Sequence, residues 1–191
     1  LGSWVLETAC RQITTWQEEG RPMSISVNLS AKQFYHGNLL SQMRDILHKT
    51  GASPALLELE ITETLSLYDT ASAIEVMKEL RMLQVRIAMD DFGTGQSSLV
   101  NLKKLPIDTL KIDRSFIQDV ELSLESASIV KMIIILGKTM HLNITAEGVE
   151  TQGQLDLLQE YGCDEVQGYF FSKPLPLEQI NAFLEEPIKT Q

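Results

Sequence analysis

The fold class is decided by residues 143–169, which read NITAEGVETQGQLDLLQEYGCDEVQGY. The first five residues, NITAE, predict a short strand, and QGQLDLLQEYG predicts a helix that ends at Gly162, a favoured C-cap residue. The segment DEVQGY (164–169) predicts a second strand. Strand, helix and strand within 27 residues indicate a parallel βαβ unit.

The same alternation runs through the whole chain. Further strands are predicted at 25–30, 56–61, 85–90 and 109–113, and further helices at 4–20, 38–51, 69–83, 99–105, 126–140 and 176–186. Strands that alternate with helices form either an open doubly wound sheet or a (β/α)8 barrel. A barrel needs eight strands and about 250 residues. Six predicted strands in 191 residues therefore fall two βα units short of one.

Composition restricts the possible functions. Hydrophobic residues make up 43% of the chain, enough for one packed domain, and the net charge of −10 excludes general binding of DNA or RNA polymers. Any phosphate ligand would need a bound cation. Cys10 and Cys163 form no CxxC pair, and the three histidines form no zinc motif. A reducing, cytoplasmic location is expected, although the parent protein could be membrane-anchored upstream.

Polar residues are predicted where the strands end. These residues are Asn28, Glu60, Asp90 with Asp91, Lys111, Glu147 and Gln167. Each alone is most simply a solvated loop residue, but together they occupy the same end of consecutive strands, where the active sites of such barrels lie. The carboxylates would repel one another without cations, and oxygen-only ligands favour Mg2+ or Mn2+. Two such metals can clamp a phosphodiester, with Lys111 binding the attacking water or neutralising charge.

Six motifs in this order resemble the EAL-domain family. They are VNLSAKQF (27–34), ELEITET (58–64), MDDFGTGQSSL (89–99), LPIDTLKIDRSFI (105–117), TAEGVET (145–151) and GCDEVQGYFFSKPLP (162–176). The resemblance implies a TIM-like (β/α)8 barrel, with about six of its eight strands in this chain. It also implies a phosphodiesterase that hydrolyses cyclic di-GMP to linear pGpG with Mg2+ or Mn2+.

The resemblance assigns a role to each matching residue. Metal ligands are implied at Asn28, Glu60 and Asp90, with Asp91 bridging or binding the second metal, and Glu147 acting as a metal ligand or general base. Lys111 is similar to the lysine that holds the attacking water, and Gln167 to a glutamine near metals and substrate. Glu63 is similar to a carboxylate that holds the DDFGTG loop, and Glu150 to another carboxylate near the site. The loop that couples the metals to a dimer interface comprises Phe92, Gly93, Thr94, Gly95 and Gln96.

Two departures from the family pattern qualify these expectations. The Glu-Ala-Leu motif, which supplies a metal ligand on an early strand, is absent, and Gln96 stands where the family usually has Tyr. We therefore expect residues 1–186 to be a partial phosphodiesterase domain with impaired activity, followed by a frayed tail at 187–191. Homodimerisation and an additional sensor or GGDEF-like domain are expected of the parent protein. The alternatives are a non-catalytic cyclic-di-GMP receptor and a barrel that acts on another phosphorylated or carboxylated substrate.

Overall fold

A computed structural model describes residues 2–36, 38–63, 70–93 and 99–185. The chain divides into two compact units, Leu1–Leu110 and Lys111–Gln191, which are described in turn. Among the described residues, no helix is both long enough and apolar enough to cross a membrane.

The first unit contains helices and parallel strands in alternation. Its elements are α1 (Gly2–Glu18), β1 (Ile25–Asn28), α2 (Ala31–His36), α3 (Leu39–Thr50), a 3-10 helix (Pro54–Leu56), β2 (Leu57–Thr62), α4 (Thr70–Met82), β3 (Arg86–Phe92) and α5 (Leu99–Leu102). Strand β4 (Thr109–Ile112) begins here and continues into the second unit. Strands β1 and β2 pair in parallel, as do β2 and β3. The predicted βαβ pattern is therefore confirmed in this unit.

The second unit continues the pattern. Its remaining elements are α6 (Arg114–Gln118), α7 (Leu124–Thr139), β5 (Asn143–Glu147), α8 (Gln152–Tyr161), β6 (Glu165–Gln167) and α9 (Leu177–Glu185). Strands β5 and β6 pair in parallel, with Glu147 opposite Gln167. Helix α8 begins with a capping box at Thr151 and ends at Gly162 in the left-handed conformation, as a C-cap glycine allows. The described residues thus contain six strands, the predicted number.

Strand β2 is buried on both faces. Leu57, Leu59 and Ile61 on one face are at most 1% exposed, and Glu58 and Glu60 on the other are 8% and 7% exposed. Two-sided burial is typical of parallel strands covered by other elements. Charged side chains on the second face therefore lie inside the protein and need polar or ionic partners there.

An aspartate closes the βαβ connection of the first unit. The backbone N–H of Ile87 donates to Asp108 Oδ2 over 3.0 Å, and the Asp108 N–H donates to the Ile87 carbonyl over 2.8 Å. Asp108 Oδ1 also lies 3.0 Å from Arg81 Nη2 at the end of α4. We call this arrangement an aspartate clasp, because one side chain ties the start of β3 to the residue that precedes β4.

The second unit repeats the aspartate clasp. The N–H of Ile144 donates to Asp164 Oδ2 over 2.8 Å, and the Asp164 N–H donates to the Ile144 carbonyl over 3.1 Å. The cation is here Lys138, at the end of α7, which is ion-paired with Asp164 Oδ1. The clasp thus ties the start of β5 to the residue that precedes β6.

Several strand ends differ from those predicted. Glu60 and Asp90 each lie two residues before the end of their strands, and Lys111 lies one residue before the end of β4. Asn28, Glu147 and Gln167 are the last residues of their strands, as expected. The pairing of β2 with β3 reaches Thr62 and Asp90, so pairing continues along β2 beyond Glu60.

Candidate active site

Three of the predicted metal ligands share one face of the first unit's sheet. Asn28 and Glu60 are register partners on β1 and β2, and Glu60 is in turn opposite Ala88 on β3. Asp90 follows Ala88 by two residues, and side chains separated by two residues point to the same face of a strand. Asn28, Glu60 and Asp90 are therefore brought onto one face, and we call them the oxygen-ligand group.

Glu58, a buried carboxylate on the same face of β2, is bound by neighbouring polar and charged side chains. Glu58 precedes Glu60 by two residues, and its Oε1 accepts a hydrogen bond from Ser26 Oγ over 3.0 Å. Its Oε2 accepts from Thr109 Oγ1 over 2.7 Å and lies 3.2 Å from Arg86 Nη2. Glu58 is therefore fully partnered within its own unit. This network was not predicted from the sequence, although Arg86 is a charged residue inside an otherwise apolar strand.

The end of β3 departs from extended geometry at the second aspartate. Asp91 has a φ of +57°, a conformation that residues other than glycine rarely adopt. Its N–H donates to Asp90 Oδ1 over 3.0 Å. Such strain is often found at functional sites, and here it lies directly after Asp90 of the oxygen-ligand group.

Glu63 holds the backbone that follows these aspartates. This side chain is 2% exposed, and its Oε2 accepts a hydrogen bond from the Gly93 N–H over 3.2 Å. Phe92, between Asp91 and Gly93, is 7% exposed and anchors the same segment. Glu63 therefore contacts the backbone directly after Phe92. Thr94, Gly95 and Gln96 lie outside the described residues.

The oxygen-ligand group fits a hard divalent cation by its chemistry. One amide and two carboxylates supply only oxygen donors, which suit Mg2+ or Mn2+. Across the described ranges, no three Asp, Glu, His or Cys side chains converge closely enough to hold a metal.

Lys111 and Glu147 form an ion pair in the second unit. Lys111 Nζ lies 2.5 Å from Glu147 Oε1, and the side chains are 5% and 20% exposed. Burial of an ammonium group requires such a partner, because an isolated charge inside a protein is strongly destabilising. Two residues that the sequence placed on different strands, β4 and β5, are therefore in direct contact.

Gln167 is held beside Glu147 by backbone bonding around Gly168. The Val149 N–H donates to the Gln167 carbonyl over 3.0 Å, and the Phe170 N–H donates to the Val149 carbonyl over 2.9 Å. A Cβ at Gly168 would lie 2.0 Å from the Val149 oxygen. Only glycine permits this close approach of two backbone segments.

Glu150 lies between β5 and α8 in a fixed loop. Its N–H donates to Gln154 Oε1 over 2.7 Å, and Gln154 Nε2 donates to the Ile117 carbonyl over 3.2 Å. Gln154 is itself 5% exposed, so it is a buried bridge between α8 and α6. The Glu150 side chain remains exposed while its backbone is fixed.

The second unit contains a cleft of about 200 Å³ that is lined by Glu147, Glu150 and Gln167 among others. The polar and aromatic side chains that line it are Arg114, Gln118, Glu147, Glu150, Gln167 and Tyr169. A larger depression of about 620 Å³ shares Gln167 and Tyr169 and is otherwise largely apolar or aromatic, with Phe171 and Phe183 in its wall. Arg114 and Tyr169 were not among the predicted site residues.

The two cysteines lie outside this chemistry. Burial raises the pKa of the Cys10 thiol to about 11. Burial also raises the pKa of Cys163 to about 11, and its Sγ contacts the carbonyls of Ile144 and Glu165 at 3.4 and 3.2 Å. Both therefore remain protonated and unreactive near neutral pH.

Comparison with known proteins identifies the family. The EAL domain family matches residues 1–174, which is most of the chain. The chain belongs to the EAL-domain family. This EAL domain is 43% identical over 183 residues to the bifunctional diguanylate cyclase/cyclic di-GMP phosphodiesterase MucR of Pseudomonas aeruginosa. It is 42% identical over 185 residues to the cyclic di-GMP phosphodiesterase NbdA of the same organism.

The matches cover the EAL domain but only part of each relative. The match to MucR includes 95% of this chain but only 27% of the length of MucR. The match to NbdA includes 96% of this chain and 24% of the length of NbdA. The signaling protein YkoW of Bacillus subtilis is 42% identical, and the match includes 97% of this chain and 23% of the length of YkoW. The chain thus spans about a quarter of the length of these curated relatives.

Solved structures confirm the fold class. The MucR phosphodiesterase in complex with c-di-GMP has a TM-score of 0.90 at 43% identity, over 94% of this chain and 73% of that chain. The EAL domain of Mycobacterium smegmatis DcpA has a TM-score of 0.90 at 35% identity, over 96% and 83%. The fold class is therefore the TIM-like barrel class of EAL domains.

Proposed function

We propose that this EAL domain carries catalytic residues for the hydrolysis of cyclic di-GMP to linear pGpG. The observation that carries the proposal is the register of β1, β2 and β3, which brings Asn28, Glu60 and Asp90 onto one face. MucR and NbdA, which bear the phosphodiesterase name, are more than 40% identical to this chain. Family membership with an intact oxygen-ligand group supports an enzyme.

Asn28, Glu60 and Asp90, together with Asp91, would hold Mg2+ or Mn2+. Such ions, when bound, supply charge stabilisation of the phosphodiester and lower the pKa of the attacking water. The strained backbone at Asp91 orients its carboxylate differently from that of Asp90. Glu63 would keep this orientation by its hydrogen bond to Gly93.

Glu147 would accept the proton of the attacking water, and Lys111 would neutralise negative charge that develops during hydrolysis. As a carboxylate, Glu147 can accept the proton of the attacking water, and the ammonium of Lys111 at 2.5 Å holds that carboxylate in place. Lys111 can also donate a hydrogen bond to the water. Gln167, opposite Glu147 in register, and Glu150 would contact the substrate outside the reacting phosphate.

The isolated chain is proposed to turn over slowly. Among the described residues, no three Asp, Glu, His or Cys side chains converge closely enough to hold a metal, and the family's Glu-Ala-Leu glutamate does not occur in the sequence. Residues 1–186 would act as a partial phosphodiesterase domain. The tail predicted at 187–191 lies outside the described residues.

The test compares this chain with an extended form that carries a Glu-Ala-Leu segment of the family upstream of Leu1. Both are incubated with cyclic di-GMP and Mn2+ or Mg2+, pGpG is quantified by chromatography, and binding is measured by calorimetry. We expect binding by both and rapid turnover only by the extended form. Tight binding without turnover by the extended form would instead establish a receptor. Failure to bind cyclic di-GMP in preference to other nucleotides would contradict both the enzyme and the receptor function.

We also propose that the parent protein is a homodimer with at least one further domain. Support comes from the relatives, which are about four times as long as this chain, and from MucR, which is named as bifunctional. Light scattering of the parent protein tests the dimer, and a monomeric mass at micromolar concentration would contradict it.

A further inference from the structure

We infer that Arg114 recognises a guanine base of the substrate in the 200 Å³ cleft of the second unit. The inference rests on the proposed function and adds a specificity residue to it. Arg114 is exposed and lines the cleft together with Glu147 and Glu150. It belongs to none of the metal-binding or proton-transfer roles assigned above.

The guanidinium of Arg114 is available for a ligand. Within the part of the chain that the structure describes, it forms no hydrogen bond or ion pair, whereas Arg11, Arg44, Arg81 and Arg86 each pair with a carboxylate. An arginine that lines a cleft with two glutamates and remains unpaired has its fork of donors free to bind a ligand.

The stem of Arg114 is fixed by the glycine that follows Glu147. Gly148 has a φ of +75°, and a Cβ at this position would lie 2.5 Å from Arg114 Cβ. The arginine therefore packs directly on the backbone at the end of β5. Asp113 fixes the start of α6 by accepting a hydrogen bond from the Ser115 N–H over 3.0 Å.

The cleft composition favours a base over a second phosphate. Glu147 and Glu150 would repel an added phosphate, but a carboxylate can accept hydrogen bonds from the N1–H and amino group of guanine. An arginine binds the O6 and N7 acceptors of guanine in bidentate fashion. The volume of about 200 Å³ is below the roughly 300–1,000 Å³ of sites that enclose a whole ligand. It suits one part of a dinucleotide.

The test measures binding of cyclic di-GMP and cyclic di-AMP to this chain and to its Arg114→Met and Arg114→Lys variants with Mn2+. Adenine presents an amino donor where guanine presents O6, so it cannot accept the same bidentate bond. We expect Arg114→Met to weaken cyclic di-GMP binding about 5- to 150-fold, the range for one bidentate pair. Cyclic di-AMP binding should change little, so the preference for guanine should fall.

Arg114→Lys retains the charge but loses the planar fork, so we expect it also to lose guanine preference. Arg44→Met, on α3 and paired with Glu79, is the matched control for loss of one positive charge and should leave both affinities unchanged. In the extended enzyme, Arg114→Met should raise KM for cyclic di-GMP and leave kcat within about twofold.

The outcomes separate this inference from the proposed function. If the unmodified chain does not bind cyclic di-GMP, the proposed function fails. If it binds but Arg114→Met binds equally well, the inference alone is overturned. Equal weakening of both dinucleotides, with rescue by lysine, would assign the guanidinium to a phosphate and overturn the assignment to the base. Melting curves of each variant verify that it is folded.

Discussion

Lys111 Nζ and Glu147 Oε1 are 2.5 Å apart, and the lysine side chain is 5% exposed. The pair joins the ends of β4 and β5 within the second unit, and both residues were assigned chemical roles from sequence. An ammonium group this buried depends on its carboxylate partner for stability. The pair is therefore both a structural element and part of the proposed site.

We expect Lys111→Met and Glu147→Gln each to lower the free energy of unfolding by about 3 kcal/mol, since each removes one side of the direct contact between a buried ammonium and its carboxylate. The double variant should lose less than the sum of the two single variants, because both single changes break the same direct contact. Urea unfolding of the four proteins gives the coupling free energy directly. Additive effects of the two single changes would contradict a direct interaction.

Glu60→Ala should abolish hydrolysis of cyclic di-GMP by the extended protein and weaken Mn2+ binding, while the metal-free melting temperature changes little. The physical reason is that Leu57, Leu59 and Ile61 keep their packing on the opposite face of β2. Calorimetry with Mn2+ and thermal melts in EDTA measure the two effects. A large fall in the metal-free melting temperature would indicate a structural role for Glu60 instead.

Glu58→Ala is the matched comparison two residues away on the same face. We expect a loss of about 2 kcal/mol in the free energy of unfolding, because Arg86 and Thr109 lose their shared acceptor. The value is below that for a fully buried pair, since the Arg86 side chain is 34% exposed. Mn2+ affinity should be retained. Loss of Mn2+ binding in a folded Glu58→Ala protein would place this residue in the metal site.

Asp164→Ala should lower the free energy of unfolding by about 1–3 kcal/mol, the penalty for an unsatisfied buried donor, here the Ile144 N–H. Asp164→Asn should be milder, because its amide oxygen can still accept that bond while the ion pair with Lys138 is lost. Exposed ion pairs contribute only about 0–1 kcal/mol. Equal destabilisation by both changes would mean that charge, and not the hydrogen bond, matters at the clasp.

Cys10 and Cys163 should resist alkylation by iodoacetamide at pH 8 in the folded protein and react fully in denaturant. With a thiol pKa of about 11, roughly one molecule in a thousand carries the thiolate at pH 8. Because the folded pKa exceeds the ordinary 9.0, these thiols also favour unfolding as pH rises from 9 towards 11. Mass spectrometry counts the adducts, and rapid modification of the native protein would show that the thiols are accessible.

The alternation of strands and helices was predictable because it follows from short apolar runs between helical segments. Strand β5 has the predicted bounds, 143–147. The end of β3 was predicted too early, because Asp91 and Phe92 belong to the strand although the sequence around them is typical of a loop by composition. Helix α6 was missed because five residues are too few for a periodic pattern to emerge.

Polar residues at or near strand ends, such as Glu60 and Lys111, could be placed from the sequence, and their chemical roles stay predictions. The contact of Lys111 with Glu147, and that of Glu63 with Gly93, depend on tertiary packing and could not be read from spacing. Arg114 was missed for the same reason. Arg114 follows the segment Lys111–Asp113 and has no distinctive sequence context. Its contact with Gly148, at the end of β5, is visible only in the structure.

The two aspartate clasps have a consequence for the order of folding. Each joins residues only 21 and 20 positions apart, Ile87 with Asp108 and Ile144 with Asp164. Short loops close at a small entropic penalty and form early. We therefore expect each clasped βαβ segment to assemble before more distant strands pair. Removing a clasp should slow refolding more than it accelerates unfolding, which stopped-flow measurements on Asp108→Ala and Asp164→Ala would resolve.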